Sequence, residues 1–141
     1  MVIDPISGAD EGLRTALTEA GLPTDDLTGA GRKFYRFRDP AGLAGYAGLE
    51  GDGPDRLLRS FVVVAGRRRQ GVGREIHGVL EWIAGGAGVH RLHVLTTDAA
   101  AFFQSLGYRS EPLQFAPAEI AATAEFSRLC PESATYLVRR L

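Results

Sequence analysis

The sequence predicts an α+β (mixed α/β) fold with a central, mostly antiparallel twisted sheet flanked by helices. Three observations carry that reading. Lys33-Phe34-Tyr35-Arg36-Phe37-Arg38 alternates polar and apolar residues, the mark of a half-buried strand, and Asp39-Pro40-Ala41-Gly42 turns it back into the Gly- and Ala-rich stretch 43–50. The stretch 57–64 becomes apolar on both faces, as a covered central strand does, and a Gly-rich turn then leads into Val72, Ile76, Val79, Leu80 and Ile83 at helical spacing. A further alternating segment, 90–96, is followed by a short helix over 98–106 with Gly107 just past its end. Helices interleaved with hairpin-like strands place the chain in that class.

The remaining elements follow in order. Residues 2–6 form a short first strand. Ser7 caps the next helix, with Asp10 three residues on in a capping-box-like arrangement. Leu13, Ala16, Leu17 and Ala20 give that helix one apolar face, and Gly21 and Pro23 end it. Residues 24–27 add one short turn. Gly51-Asp52-Gly53-Pro54 is a second turn signal ahead of the strand at 57–64, and the long helix runs over 72–84 and stops at Gly85-Gly86. Residues 108–115 return as a strand, 117–123 give one or two helical turns opened by Pro117, and 133–139 form the last strand. No repeat, low-complexity tract or linker divides the chain, so residues 1–141 read as one domain.

Composition narrows the partners. Hydrophobic residues make up 45% of the chain, which suits a packed globular fold. The formal net charge is -1, so no global basic field recruits nucleic acid or a membrane surface. No apolar run approaches the ~20 residues of a membrane span, and the first residues lack the pattern of a signal peptide. The single cysteine, Cys130, reads as a small buried residue, and a reducing cytoplasm is the simplest compartment.

The most informative segment is Arg68-Arg69-Gln70-Gly71-Val72-Gly73, between the apolar strand and the long helix. The first N–H groups of a helix lack partners and point out of its positive end. Glycines let the backbone approach a ligand closely, so a phosphate fits there. Arg67, Arg68, Arg69 and Arg74 crowd the same place, and together these features read as a cradle for a pyrophosphate. No Lys-Ser/Thr follows the glycines, which disfavours a Walker-type loop.

This hexapeptide after an apolar strand resembles the first signature of the GNAT acetyltransferase superfamily. The strand Arg91-Leu92-His93-Val94-Leu95 and the segment Ala101-Phe102-Phe103-Gln104-Ser105-Leu106-Gly107-Tyr108 resemble its second. Leu95-Thr96-Thr97 and Glu125-Phe126-Ser127-Arg128-Leu129-Cys130-Pro131-Glu132-Ser133-Ala134 are similar to the GNAT subgroup linked to arsenic resistance. The resemblance implies acetyl-CoA as co-substrate, no metal, and a small-molecule amine acceptor, amino acid-like or arsenic-containing. It allows a homodimer.

Carried over by that resemblance, the pyrophosphate amides belong to Arg69, Gln70, Gly71, Val72, Gly73 and Arg74. The pantetheine arm lies along Val62, Val63 and Val64, with Phe103 as part of its wall. A backbone N–H near Val62 or Val64 would polarise the thioester carbonyl. Two usual roles are unfilled. Phe103 stands where many members carry a tyrosine that protonates the leaving sulfur, and Arg59 and Ser60 stand where many carry a carboxylate. Candidate bases are Glu50, otherwise a surface carboxylate at a hairpin end, and His93, otherwise satisfied in packing. His77 and His90 read as surface residues and Trp82 as core. Arg36, Arg38 and Arg59 would clamp an acceptor anion if they face the cleft, and are surface charge otherwise. Tyr35, Phe37 and Tyr46 wall the acceptor pocket or simply pack the core. Thr96, Thr97 and Asp98 cap the helix after them or touch substrate. The function expected is acetyl-CoA-dependent N-acetyl transfer by direct attack in a ternary complex. The alternatives are a coenzyme A-binding module with little catalysis and, more remotely, a nucleotide-binding regulator.

Overall fold

A computed structural model describes residues 1–128 and 133–141, so Cys130 lies outside the described residues. The elements are β1 (Val2–Ile6), α1 (Glu11–Glu19), β2 (Arg32–Asp39), β3 (Gly42–Glu50), β4 (Asp55–Val63), α2 (Val72–Gly86), β5 (Arg91–Thr96), α3 (Ala100–Ser105), β6 (Arg109–Ser110), a 3-10 turn (Leu113–Phe115), α4 (Ala118–Ala121), α5 (Ala124–Arg128) and β7 (Thr135–Arg140). The seven strands are ordered β1-β2-β3-β4-β5-β7-β6. Pairing is antiparallel for β1–β2, β2–β3, β5–β7 and β6–β7, and parallel for β4–β5. The expected mixed, mostly antiparallel sheet is therefore present. Among the described residues no helix is long and apolar enough to cross a membrane.

The backbone falls into two compact units, Met1–Glu50 with Leu58–Ile83, and Gly51–Leu57 with Ala84–Leu141. The first is organised by the β1–β2–β3 meander. Pro5, which donates no N–H, sits on the edge strand β1 where that costs no central ladder bond. Leu13 and Leu17, four residues apart on α1, are fully buried and join Leu27, Phe34, Tyr46 and Val62 in one core cluster. Each such leucine contributes roughly 1.5–3 kcal/mol by burial. On α2, Val72, Ile76, Leu80 and Ala84 recur every four residues and are all buried.

The second unit pairs Asp55, Arg56 and Leu57 of β4 with Arg91, Leu92 and His93 of β5, and that parallel ladder has three rungs. Along β5 and β7, Leu92, Val94, Leu95 and Leu137 are buried. Phe103 of α3 packs edge-on against Phe102 and Tyr108, with ring centroids 5.2 and 5.3 Å apart.

Several expectations are corrected. Asp10, not Ser7, caps α1: its carboxylate accepts from Leu13 N at 3.0 Å, while Ser7 Oγ accepts from Ala9 N in a local turn. Trp82 is 78% exposed rather than core, because two residues beyond Leu80 is about 200° around a helix, on the opposite face. His77 is 2% exposed rather than a surface residue, since it stands three and seven residues before buried Leu80 and Ala84, on their side of the helix. The strand expected over 108–115 shortens to Arg109–Ser110. Glu111 N still reaches Tyr136 O at 2.9 Å, but Pro112 has no N–H to continue the ladder, and a 3-10 turn takes over.

Candidate coenzyme A site

In the first unit the segment between β4 and α2 is a bend built from left-handed residues. Gly66, Arg69 and Gly71 have φ of 87°, 63° and 76°. Left-handed residues next to right-handed ones gather successive N–H groups into a concavity that suits an anion. The first backbone bond of α2 runs from Glu75 N to Gly71 O at 3.2 Å, so the amides ahead of it point out of the helix end. Nothing stands within 4 Å of where a Cβ on Gly71 would be, so the bend opens to solvent. Arg69, Gln70, Gly71 and Arg74 are exposed, Gly73 is half-buried, and Val72 is buried as the first core residue of α2.

The arginines there divide their work. Arg69 stays exposed on the bend. Arg67, expected in the cradle, instead straps the β2–β3 hairpin: it pairs with Asp39 and donates to Leu43 O at 3.1 Å. The Arg67 hydrogen bond to Asp39 holds that carboxyl below its usual range. Arg68 donates from Nε to Val63 O at 3.1 Å, and Gln70 closes the bend by donating to Gly66 O at 3.1 Å.

Strand β4 changes direction within the same unit. Ser60 has φ 55°, a left-handed residue inside a strand, which marks a bulge. Beyond it, Val64 N donates to Ala44 O on β3 at 3.0 Å, and Val62 O lies so close to β3 that a Cβ on Gly45 would meet it at 2.2 Å. Strand alternation then turns the Val63 N–H and C=O away from β3. Of the two amides the sequence offered, Val64 N–H is thereby taken up by β3, and alternation from it makes Val63 the outward residue.

Arg59 and Glu50 are also corrected, from surface charges to buried ones. Arg59 is 4% exposed and Glu50 9%. Arg59 donates from Nη1 and Nη2 to the two carboxylate oxygens of Asp26 at 2.8 and 2.7 Å, and from Nη1 to Glu50 Oε1 at 2.7 Å. Its guanidinium also lies over the Phe34 ring, 5.8 Å from the centroid. Arg32, paired with Glu50 across the β2–β3 ladder, adds a second cation 3.6 Å from the same oxygen. Asp26 has no local signal, because it reaches Arg59 across more than thirty residues of sequence. Arg36 and Arg38, expected as acceptor clamps if not free surface charge, both bind Asp4, at 3.3 and 2.7 Å. Phe37 and Tyr46 are buried and Tyr35 half-buried, in keeping with core packing on the hairpin.

In the second unit His93 is fully buried and both ring nitrogens are engaged. Nε2 lies 2.7 Å from Asp55 Oδ1 and Nδ1 lies 2.7 Å from Tyr136 Oη. A carboxylate only accepts, so Nε2 carries the proton and Nδ1 accepts from the tyrosine hydroxyl. Burial pushes the imidazole below its usual pKa, against the opposing effect of Asp55. Burial likewise pushes the Tyr136 phenol up to about 12. For Asp55, burial works against the charge, but hydrogen bonds from His93 and Arg91 outweigh it and hold the carboxyl below its usual value. Thr96 Oγ1 accepts from Ala99 N at 3.0 Å, Thr97 and Asp98 are exposed, and Phe103 is 4% exposed. Among the described residues no group of His, Cys, Asp and Glu is arranged to hold a metal ion.

The comparisons with known proteins agree with this fold. Structural likeness covers 100% of this chain and 35% of N-acetylglutamate synthase from Neisseria gonorrhoeae complexed with coenzyme A and N-acetyl-glutamate, at TM-score 0.75 and 16% identity. The chain thus spans about a third of that synthase. Rv2747 from Mycobacterium tuberculosis, in complex with CoA, is similar over 100% of this chain and 99% of its own, at TM-score 0.72 and 16% identity. IAA acetyltransferase from Bacillus cereus is similar over 99% of both chains, at TM-score 0.72 and 16% identity. No curated protein matches the sequence. The Acetyltransferase (GNAT) domain matches residues 30–110, more than half of the chain, and that span contains the β2–β3 hairpin, the bulged β4, the glycine bend and α3. The chain belongs to the GNAT acetyltransferase family.

Proposed function

We propose that residues 1–141 act as one N-acetyltransferase domain that takes its acyl group from acetyl-CoA and passes it directly to the amine of a small acceptor in a ternary complex. The observation that carries this reading is the open bend at Arg69 and Gly71. The diphosphate of coenzyme A would sit against the outward amides of residues 69–74, with Arg69 supplying charge. The pantetheine arm would run along Val62, Val63 and Val64, pairing with the outward edge at Val63 as an added strand does. The Val63 N–H would face the thioester carbonyl where negative charge develops. Phe103, buried among aromatic rings, has no proton to give a leaving sulfur. Holding amine and thioester in line supplies much of the rate, since it removes a large entropic barrier.

Glu50 and His93 are the candidate bases by residue type, yet Arg59 holds Glu50 Oε1, and the one acceptor nitrogen of His93 takes the Tyr136 hydroxyl while the other donates to Asp55. We therefore favour an amine that loses its proton to water. An amino acid-like acceptor, including an arsenic-containing one of the kind linked to the similar subgroup, fits a family fold whose neighbour from Neisseria gonorrhoeae was crystallised with N-acetyl-glutamate. Among the cationic and polar candidates, Arg36 and Arg59 hold internal carboxylates, and exposed Thr97 with Thr96 beside it is the freer polar pair.

The test is calorimetric titration with acetyl-CoA, followed by free-thiol release with a panel of free amino acids and arsenic-containing analogues. Binding and turnover with one panel member support the reading, and no binding at high micromolar acetyl-CoA ends it. The second reading, a coenzyme A-binding module, is favoured by the phenylalanine at position 103. It predicts binding with no thiol release above hydrolysis for any acceptor.

A further inference from the structure

Ser60 sits in the middle of β4 with φ 55°. It is neither glycine nor asparagine, and a left-handed conformation is strained for such a residue. Strain of this kind persists only where the surroundings over-determine the backbone. The residue before it shows how. Arg59 is held from two elements at once, by Asp26 in the segment 20–31 and by Glu50 at the end of β3. It also donates from Nε to Ser60 Oγ at 3.3 Å.

Withdrawing a buried guanidinium from two carboxylates costs more than the left-handed strain of one serine. The clamp therefore wins, and the bulge stays. The consequence falls three residues on. With the bulge in place, Val64 N bonds to Ala44 O on β3, and strand alternation turns Val63 outward. Were Ser60 to relax into an extended conformation, the alternation beyond it would slip by one, and the Val63 amide would turn toward the β3 ladder.

We propose that Arg59 is a positioning residue for acyl transfer: its clamped guanidinium fixes the Ser60 bulge and so aims the Val63 N–H outward. The inference rests on the reading of β4 as the thioester-binding strand. The charge of Arg59 acts inward, on the shape of the strand.

The experiment uses the whole chain with Arg59→Lys, which keeps the charge and loses the fork, alone and combined with Ser60→Gly. Glycine holds a positive φ at little cost and needs no clamp. The first readout is hydrogen exchange at the Val63 amide, which needs no substrate. It should slow in Arg59→Lys as the amide is drawn into the ladder, and return toward the wild-type rate in the double variant. The second is kcat for thiol release from acetyl-CoA with the amino acid that turns over fastest. It should fall by about tenfold in Arg59→Lys, short of the ~100- to 1000-fold that loss of an oxyanion donor causes. KM for acetyl-CoA should stay within about twofold, since each tenfold is only ~1.4 kcal/mol and the bend is untouched. Ser60→Gly should recover part of the lost kcat. If Arg59→Lys does not fold, Asp26→Asn serves as the gentler break of the same clamp, with the same outcomes expected. Unchanged Val63 exchange in the single variant, or no recovery in the double, overturns the positioning role. A wild-type chain that neither binds acetyl-CoA nor releases thiol overturns the transferase reading instead, and leaves the exchange result to judge the clamp.

Discussion

Ten residues apart in sequence, Arg59 and Arg69 are both arginines beside a left-handed backbone, and they use their charge in opposite ways. Arg69 lies exposed on the bend, next to Gly71 and ahead of a helix whose first amides point outward. Arg59 is 4% exposed and donates to Asp26, Glu50 and Ser60. The first arrangement leaves polar groups turned outward, as a ligand site must. The second turns its donors inward onto the carboxylates of Asp26 and Glu50, as a framework must. The difference teaches that a cluster of arginines in sequence is not yet a site. What decides is whether the surrounding carboxylates are already within reach of the fold, and Arg67, captured by Asp39, falls on the framework side despite its place in the motif.

Breaking the framework side should give the largest effect. Arg59→Met leaves buried Asp26 and Glu50 with only the more distant Arg32, 3.8 and 3.6 Å away, and should lower stability by about 3–5 kcal/mol in chemical denaturation. A loss under ~1 kcal/mol, the range of an exposed ion pair, would mean that the cluster is solvated. Breaking the ligand side comes next. Gly71→Glu places a carboxylate in open space where the diphosphate would lie, and strains φ 76° by about 1–2 kcal/mol. Calorimetry should show acetyl-CoA affinity down by roughly ten- to a hundredfold, the equivalent of losing a charge-assisted hydrogen bond or more, while circular dichroism stays native. Equal affinity in the variant would move the site elsewhere.

The second unit offers a smaller and pH-dependent effect. His93 has a folded pKa below its ordinary value, so the unfolded chain binds the proton more readily. Stability should be full above pH ~6.5 and decline as pH falls below it. Asp55, also held below its usual value, extends the decline into more acid solution. A His93→Gln chain followed by thermal melts should lose the part of the slope just below pH ~6.5. An identical slope would show that His93 keeps its ordinary titration. The smallest change expected is Arg69→Ala, which should weaken acetyl-CoA binding by roughly two- to fivefold in low salt and less in high salt, because exposed charges are screened. A salt-independent loss would point to a structural role for Arg69.

The hairpin 33–50, the strand–bend–helix at 57–84 and the alternating strand before α3 were legible in the sequence because their signals are local. Period-2 alternation, turn residues and period-3.6 spacing each lie within one window, and the glycine bend is itself a contiguous motif. The charged clusters were not legible for the opposite reason. Asp26 meets Arg59, Asp55 meets His93, and His93 meets Tyr136 only through the sheet register, so Glu50 and Arg59 read as surface charge until their partners arrive from distant strands. Trp82 was misjudged by type: an indole suggests core, but its angular position on α2 faces solvent. The left-handed Ser60 left no sequence signal at all, since serine there looks like any strand residue.

The outward-facing amides of the bend carry the whole functional account, and a titration of the isotopically labelled chain with coenzyme A, followed by amide NMR, tests them most directly. The account predicts that the Gly71, Val72 and Gly73 resonances shift first and furthest, with Val63 following. Saturable shifts confined to other residues, or none at millimolar coenzyme A, would contradict it.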